Sequence, residues 1–394
     1  MAEERIYKCI PTLRFPEFKN DKEWEVKRLG EIVEVVNDKC SIDGLDIDTY
    51  ISTENMLQNL EGVKKATKLP DSGSFTRFQK SDILFSNIRP YLKKVWQAVF
   101  DGAASNDVIV FRVLNGFDNQ FVSQIIKSDA FIAHTMSGAK GVKMPRGDKN
   151  MMLDYSVFVP RCSEQQRIAA CLSAADERLS ATKGKLGQLK TYKKGLMQKL
   201  FPAKDQKLPE LRFKEFEKDG EWEVKKLGEI ITTLSPTKKL QSGKYKAVGS
   251  FPIVDQSQNY ICGYSDDVEA VVNTTSENLI VFGDHTCTLK FVDFPFIQGA
   301  DGIKIFKSSK SNEIDERFLY QALLYNPIVS KEYKRHFSEL KEQVVCYPKD
   351  MNEQRKIASC LSSMDDQINA YLEKVALLEQ YKKGLMQQMF PTSK

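Results

Sequence analysis

Two stretches of the chain carry the same spacing of apolar residues. The first reads Ile168, Leu172, Ala175, Leu179, Thr182, Leu186 and Leu189 at alternating steps of four and three, and resumes at Leu196 and Leu200. The second reads Ile357, Leu361, Met364, Ile368, Tyr371, Val375 and Leu378, then Leu385 and Met389. A 3.5-residue repeat held over about five heptads predicts a coiled-coil seam. Its apolar members are Ile168, Leu172, Ala175, Leu179, Leu186, Leu189 and Leu196 on one helix. On the other they are Ile357, Leu361, Met364, Ile368, Val375, Leu378 and Leu385. Lys193 and Lys382 interrupt the series and do not suit a dry core. Either the seam frays there, or their stems lie along it with the amines in water. Ser163 with Gln166 forms a capping-box pattern at one start, and Pro202 and Pro391 follow the two ends. Gly184 and Gly187 each weaken an exposed helix by ~1 kcal/mol relative to alanine.

Elsewhere the pattern alternates between strand and helix signals. Val108-Ile109-Val110-Phe111 precedes a helical stretch bearing Phe121, Val122, Ile125 and Ile126. Ile303-Lys304-Ile305-Phe306 precedes one bearing Phe318, Leu319, Ala322 and Leu323. This recurrence belongs to a larger duplication. Residues 13–32 return as 211–230 with 15 of 20 positions identical, including Glu-Trp-Glu-Val-Lys at Glu23–Lys27 and Glu221–Lys225. Residues 164–202 return as 353–391 with 20 of 39 identical, both copies ending in Tyr-Lys-Lys-Gly-Leu-Met-Gln. Between these words, residues 33–160 and 231–349 share an order of elements but little sequence. A common frame thus presents two unlike inserts.

The pattern predicts an α+β protein of two globular α/β domains separated by two long antiparallel coiled-coil helices, a pseudo-two-fold internal duplication. The divisions are 1–160, a helix over 161–202, 203–349, and a helix over 350–394. The antiparallel sense follows from connectivity. About 37 helical residues at ~1.5 Å each make a rod of roughly 55 Å, too long for one intervening domain to bridge end to end. Antiparallel packing also brings the region of Met1 near Lys394.

Composition narrows the class without deciding it. No run of eighteen apolar residues and no signal-peptide layout occurs, so a cytoplasmic protein without a membrane span is expected. The eight cysteines form no C-x-x-C pair, and only His134, His285 and His336 are present, which argues for reduced thiols and no metal site. A net charge of +5 leans mildly toward polyanionic partners.

In this order, several words resemble the specificity subunits of type I restriction–modification enzymes, over nearly the whole chain. They are Trp24 with Leu29-Gly30-Glu31-Ile32, Glu164-Gln165-Gln166-Arg167-Ile168-Ala169, and the Lys-Lys-Gly-Leu-Met-Gln endings. Asp82-Ile83-Leu84-Phe85-Ser86 with Arg89-Pro90 is similar to a strand and loop of such readers. So are Val254–Tyr260 and Phe282-Gly283-Asp284-His285-Thr286. The resemblance implies that the two globular domains are target-recognition domains reading a split sequence in double-stranded DNA. It implies that the helices bind two modification (methyltransferase) subunits, joined by restriction/translocase subunits. S-adenosylmethionine, ATP and Mg then belong to those partners, and this chain needs no cofactor and has no catalytic residue.

The residues agree with a non-catalytic reading. There is no G-x-x-x-x-G-K-[ST] phosphate loop. The Asn/Asp-Pro-Pro-Tyr/Phe word of adenine methyltransferases is missing, Asn326-Pro327-Ile328-Val329 being the nearest approach. Glu25-Val26-Lys27 and Glu223-Val224-Lys225 mimic half of a nuclease site but lack a partner acid. His285 and Cys287 alone do not make a metal centre.

DNA affinity needs cations on phosphates, and specificity needs side chains at base edges. In the first domain the candidates are Arg89, Lys93 and Lys94, and Lys140, Lys143 and Arg146, each set among turn residues. In the second, Gln256, Gln258 and Asn259 suit bidentate contacts to adenine, while Lys290, Lys334, Arg335 and Lys341 suit phosphates. Two other readings compete with this one: a self-sufficient methyltransferase or nuclease, and a coiled-coil scaffold that reads no DNA sequence.

Overall fold

The structure, a computed structural model, describes residues 9–235, 238–274, 278–300, 302–329 and 334–391. Met1 and Lys394 lie outside the described residues. Contacts divide the chain into two compact units, Met1–Lys183 with Lys374–Lys394, and Gly184–Glu373.

In the first unit the frame word closes on itself. Strand β1 (Glu25–Arg28) pairs antiparallel with β10 (Ser156–Val159), which leads into helix α4 (Cys162–Leu200). A four-stranded sheet runs β2 (Val33–Val35), β9 (Val108–Val113), β6 (Ile83–Ser86), β7 (Val95–Gln97). A smaller one runs β3 (Lys39–Cys40), β5 (Phe75–Phe78), β8 (Gly102–Ala104), β4 (Tyr50–Ile51). Helices α1 (Asn119–Lys127) and α2 (Asp129–Ser137) follow β9, and α3 (Lys149–Leu153) precedes β10. Asp118 and Ser128 cap α1 and α2 with their side-chain oxygens, as short polar residues do at N-termini. Phe121, Val122, Ile125 and Ile126 face one core with Trp24, Leu29, Phe85 and Phe111.

The second unit repeats this plan. Strand β11 (Glu223–Lys226) pairs with β20 (Val344–Tyr347), and helix α5 (Leu227–Ile230) follows β11. The larger sheet runs β12 (Ile231–Leu234), β19 (Ile303–Ser308), β16 (Leu279–Gly283), β17 (Leu289–Val292), the same order as its counterpart. The smaller runs β14 (Gly263–Ser265), β13 (Phe251–Val254), β18 (Phe296–Gln298), β15 (Val271–Val272). Helices α6 (Glu316–Tyr325) and α7 (Phe337–Glu342) precede β20, and α8 (Met351–Met389) follows it. In both units the strand and helix expected from the apolar pattern are those formed, β9 with α1 and β19 with α6.

The duplicated words prove to be clamps. Arg14 is buried and forks onto Glu164 with Nε and Nη2 at 2.8 and 2.7 Å, while Trp24 Nε1 donates to the same carboxylate at 3.3 Å. Arg212 forks onto Glu353 at 2.7 Å twice. Beside them, Gln165 accepts the Asp118 amide at 2.9 Å and donates to the Pro160 carbonyl at 2.8 Å. Gln354 does the same with Asp315 and Pro348, at 2.9 and 2.7 Å. Each Glu-Gln pair thus ties the start of a long helix to the frame and to the capping residue of the domain's own helix.

Every expected seam residue of α4 and α8 is buried or half-buried. In the first unit the seam joins 162–183 of α4 to 374–389 of α8, and rising numbers on one helix meet falling numbers on the other. Asp176 bonds Lys382, and Lys183 bonds Glu379. Leu13 donates to the Gln388 carbonyl at 2.8 Å, so the start of the frame touches the end of α8. In the second unit Met197 and Leu200 share a core with Ile357 and Leu361. Each unit's aromatic core is closed by a residue beyond a helix end: Trp24 and Phe121 by Phe390, Trp222 and Phe318 by Phe201.

Two expectations need correcting. Lys193 and Lys382 do not fray the seam, and carboxylates rather than water alone hold their ammonium groups. Lys193 bonds both oxygens of Asp365 at 2.6 Å, and Lys382 bonds Asp176, so an ion pair compensates each intruding charge. Ser163 is no cap either. Helix α4 already begins at Cys162, and the Arg161 carbonyl accepts the amides of Glu164 and Gln165.

Candidate nucleic-acid interface

In the first unit three loops interlock. After β6 the chain turns through Arg89 (φ +51°), a 3-10 turn over Pro90–Leu92, and Lys93 (φ +50°). A hairpin closed by the Met56–Val63 bridge places Asn59 (φ +54°) and Leu60 (φ +63°) so that their amides donate to Leu92 and Lys93 at 3.0 Å. The third loop is closed by reciprocal Lys140–Arg146 backbone bonds of 2.9 Å, and its Pro145 carbonyl accepts the Arg89 amide at 2.8 Å. Left-handed backbone costs a non-glycine residue roughly 1–2 kcal/mol, and it persists where surrounding bonds over-determine it, often at functional sites. Four such residues meet here.

Cations gather on these loops. Lys94 is half-buried and donates to the Thr53 carbonyl at 2.6 Å. Burial pushes its pKa below the ordinary lysine value, Lys64 and Arg89 push it further, and Glu54 partly offsets them. Arg89 Nε is buried without a hydrogen-bond partner. Among the described residues no acid pairs with Lys64, Arg89, Lys94 or Lys143. Arg146 meets Asp107 at 3.0 Å, Lys140 lies 3.7 Å from Asp148, and Lys93 is tied to Asp129. Val142 stands fully exposed between Lys140 and Lys143, with Met144 and Tyr91 about half exposed nearby in the cluster. Uncompensated charge beside exposed apolar groups suits phosphate contact together with apolar contact in a groove.

The second unit places its loops equivalently but builds them from other residues. Asp284, directly after β16, is buried, and its carboxylate accepts the amides of His336 and Phe337 at 3.0 and 2.8 Å, capping α7. Thr286 donates to the Gln256 carbonyl at 2.7 Å, and Gln258 donates to Thr288 at 3.2 Å. His285 Nδ1 lies 3.2 Å from the Lys334 carbonyl. Gly302 (φ +85°) passes so close that a Cβ there would come within 2.9 Å of Gln256 Oε1 and His285 Cδ2. Gln256 and Gln258 are thereby brought against loop 284–288, while the Asn259 carbonyl accepts from Lys290.

Of the residues expected from sequence, Arg89, Lys93, Lys94, Lys140, Lys143 and Arg146 come together in one cluster. Gln256 and Gln258 form another with the 284–288 loop, and Asn259 follows them in the chain with its carbonyl on Lys290. Arg335 is exposed beside it, and Lys341 lies exposed on α7, its ammonium 5.2 Å from the Phe337 ring centroid. Lys290 is a correction. It is buried, its ammonium donates to the carbonyls of Asp255 and Asn259 at 2.7 and 2.5 Å, and burial lowers its pKa. It shapes the loop from beneath and presents no charge to a phosphate. Sequence reasoning missed Lys64, whose hairpin carries only weak turn signals, and the capping role of Asp284.

The Glu-x-Lys words lie on the clasp strands β1 and β11, where Lys27 meets Glu25 at 3.2 Å and Tyr347 donates to Glu223 at 3.0 Å. Among the described residues no group of three His, Cys, Asp or Glu side chains is arranged to hold a metal, and no helix is long and apolar enough to cross a membrane.

Two unlike loop clusters on one duplicated frame, with seam-forming helices, define a two-reader recognition protein. A family model described as the type I restriction modification DNA specificity domain matches residues 21–191 and again 219–380. The chain belongs to that family. It is 23% identical to the type I restriction enzyme MjaVIII specificity subunit of Methanocaldococcus jannaschii, across 97% of this chain and 94% of that protein. It is 27% identical to the EcoR124I/EcoR124II specificity subunit of Escherichia coli over 30% of the chain and 31% of that protein. In fold it is similar to the crystal structure of the type I restriction-modification system S subunit from M. genitalium, with a TM-score of 0.68, 17% identity, and coverage of 98% and 100%.

Proposed function

We propose that this chain is the non-catalytic DNA-recognition subunit of a type I restriction–modification complex, and that its target is split and asymmetric. The observation that carries the reading is the pairing of equivalent frames with unlike loop clusters. Identical readers on a duplicated frame would favour a palindrome; a cationic hairpin in one unit and a Gln/Asn loop in the other favour two different half-sites. The duplicated helices offer equivalent surfaces to two copies of a modification subunit. Adenine methylation with S-adenosylmethionine, and ATP- and Mg-dependent translocation and cleavage, fall to the partner subunits.

The test is methylome sequencing of cells carrying this chain with its modification subunit, alongside a methyl-transfer assay on the chain alone. The expected result is a gapped, non-palindromic methylated sequence and no transfer by the isolated chain. A continuous palindrome, or methylation by the chain by itself, overturns the reading.

A further inference from the structure

The ion pairs in the seam belong to a larger, duplicated arrangement. In the first unit Gln124 of α1 donates to Asp176 of α4 at 2.9 Å, and Asp176 bonds Lys382 of α8. In the second, Gln321 of α6 donates to Asp365 of α8 at 2.9 Å, and Asp365 bonds Lys193 of α4. Asp176 and Asp365 occupy equivalent places in the helix repeat, as do Lys193 and Lys382. The two glutamines are almost wholly buried on domain helices whose surrounding sequences differ. Each triad therefore joins three elements: the domain's own helix, its outgoing long helix, and the end of the other long helix.

Stability does not explain this. A buried ion pair can be replaced by apolar residues of similar volume at little cost or with a gain, because desolvation offsets most of the attraction. The best attested use of a polar group in a seam is to choose one register and reject others. The incoming helix ends need such a device. In the first unit that end is held mainly by Leu385, Met386, Met389 and Phe390, and adaptable apolar side chains tolerate slippage. One heptad of slip in either direction would set Lys193 against Ala358 or Leu372, and Asp365 against Leu186 or Leu200. Lys382 would face Ala169 or Lys183, and Asp176 would face Val375 or Met389. Every slipped register leaves these charges unpaired in the seam, that of buried Lys193 included.

We propose that the two Gln–Asp–Lys triads are register keys, positioning residues that admit each incoming helix end in one register and couple that register to the seating of the domain above it. The part of this concerning DNA rests on the reading under Proposed function; the key itself does not.

The experiment uses the full chain, altering the first triad and keeping the second as an internal reference. In the triple variant Gln124→Leu/Asp176→Leu/Lys382→Met, thermal stability should stay near that of the parent. Amide exchange in α1 and in residues 374–389 should accelerate by roughly tenfold, reporting local rather than global opening. Discrimination at the half-site read by the first unit should fall by about tenfold, a loss of ~1.4 kcal/mol, with the other half-site unaffected. The charge-swapped pair Asp176→Lys/Lys382→Asp, made together with Lys127→Met because Lys127 also faces Asp176, should restore both. If the triple variant does not fold, the swapped pair decides: recovery of parental exchange supports the key, and failure to recover overturns it. Unchanged exchange and discrimination in a folded triple variant would show the triad to be inert filling and end the proposal. A parent that bound DNA without sequence preference would refute the DNA reading instead, leaving the key to be judged on exchange alone.

Discussion

The carbonyl of Asn87 accepts the amide of Gly147 in the first unit, and the carbonyl of Asp284 accepts the amide of His336 in the second. Both bonds fasten the loop after the second central strand to the segment preceding the clasp strand. Around that shared bond everything else differs. The first unit surrounds it with the loop over 140–146, left-handed Arg89 and Lys93, and several cations, four of which (Lys64, Arg89, Lys94 and Lys143) pair with no acid among the described residues. The second buries an aspartate that caps α7 and packs Gln256 against Gly302. Backbone attachment is held constant where the frame needs it, while side chains diverge where a ligand would lie. The frame behaves oppositely: the two-bond forks of Arg14 on Glu164 and of Arg212 on Glu353 are the same, although Trp24 also donates to Glu164 and Trp222 Nε1 has no partner among the described residues.

Mutations can test how far this division holds. The largest effect is expected from Glu164→Ala and Glu353→Ala, which strand the buried Arg14 and the half-buried Arg212. Each should cost about 3–5 kcal/mol in urea unfolding, by a similar amount in both units. A large loss in one and none in the other would break the equivalence of the frames. Next, Asp284→Ala removes the oxygen that satisfies two amides at the start of α7 and should cost roughly 1–2 kcal/mol. Asn87→Ala should cost less, since among the described residues the buried Asn87 side-chain oxygen has no hydrogen-bond partner. Equal losses would mean that the loops are held alike after all.

Smaller effects should appear in DNA binding. Lys143→Ala should reduce the slope of log affinity against log salt by roughly 0.9, the signature of one phosphate contact. Lys290→Met should weaken binding with no change in slope, because that ammonium supports a loop. A slope change for Lys290→Met would restore it to the phosphate contacts. The subtlest test is pH. Burial and neighbouring cations already favour the neutral form of Lys94, whereas a bound phosphate favours the charged form. Affinity should therefore fall as pH rises through this lowered pKa toward the ordinary lysine range, and Lys94→Met should flatten that dependence. A profile unchanged in Lys94→Met would remove Lys94 from the site.

The parts that could be read from sequence are those repeated along it. The seam, the antiparallel sense, and the strand–helix pairs β9–α1 and β19–α6 all follow from periodicity and duplication. What escaped depends on contacts distant in the chain. Lys193 and Lys382 stood out as misfits, but their partners Asp365 and Asp176 emerge only once the helices are aligned. Lys290 read as a surface cation because nothing local reveals that the 255–259 carbonyls close over it. The loop clusters were legible as stretches and illegible as sites, since hairpin 56–63 joins Leu92 and Lys93, and loop 140–146 joins Arg89, through backbone bonds.

The closing of each core by a residue beyond a helix end bears on how the molecule is made. The second unit is one uninterrupted segment, Gly184–Glu373, with Phe201 already in hand to meet Trp222 and Phe318. The first unit waits for Phe390, which follows the whole second unit in the chain, before Trp24 and Phe121 are covered. Domains generally mature from the N-terminus as a chain is synthesised, yet here the later-made unit is the first able to finish. Until residue 390 has been made, the first unit carries an open aromatic core. A stop codon shortly before Phe390 would therefore damage the domain encoded first and spare the one encoded second.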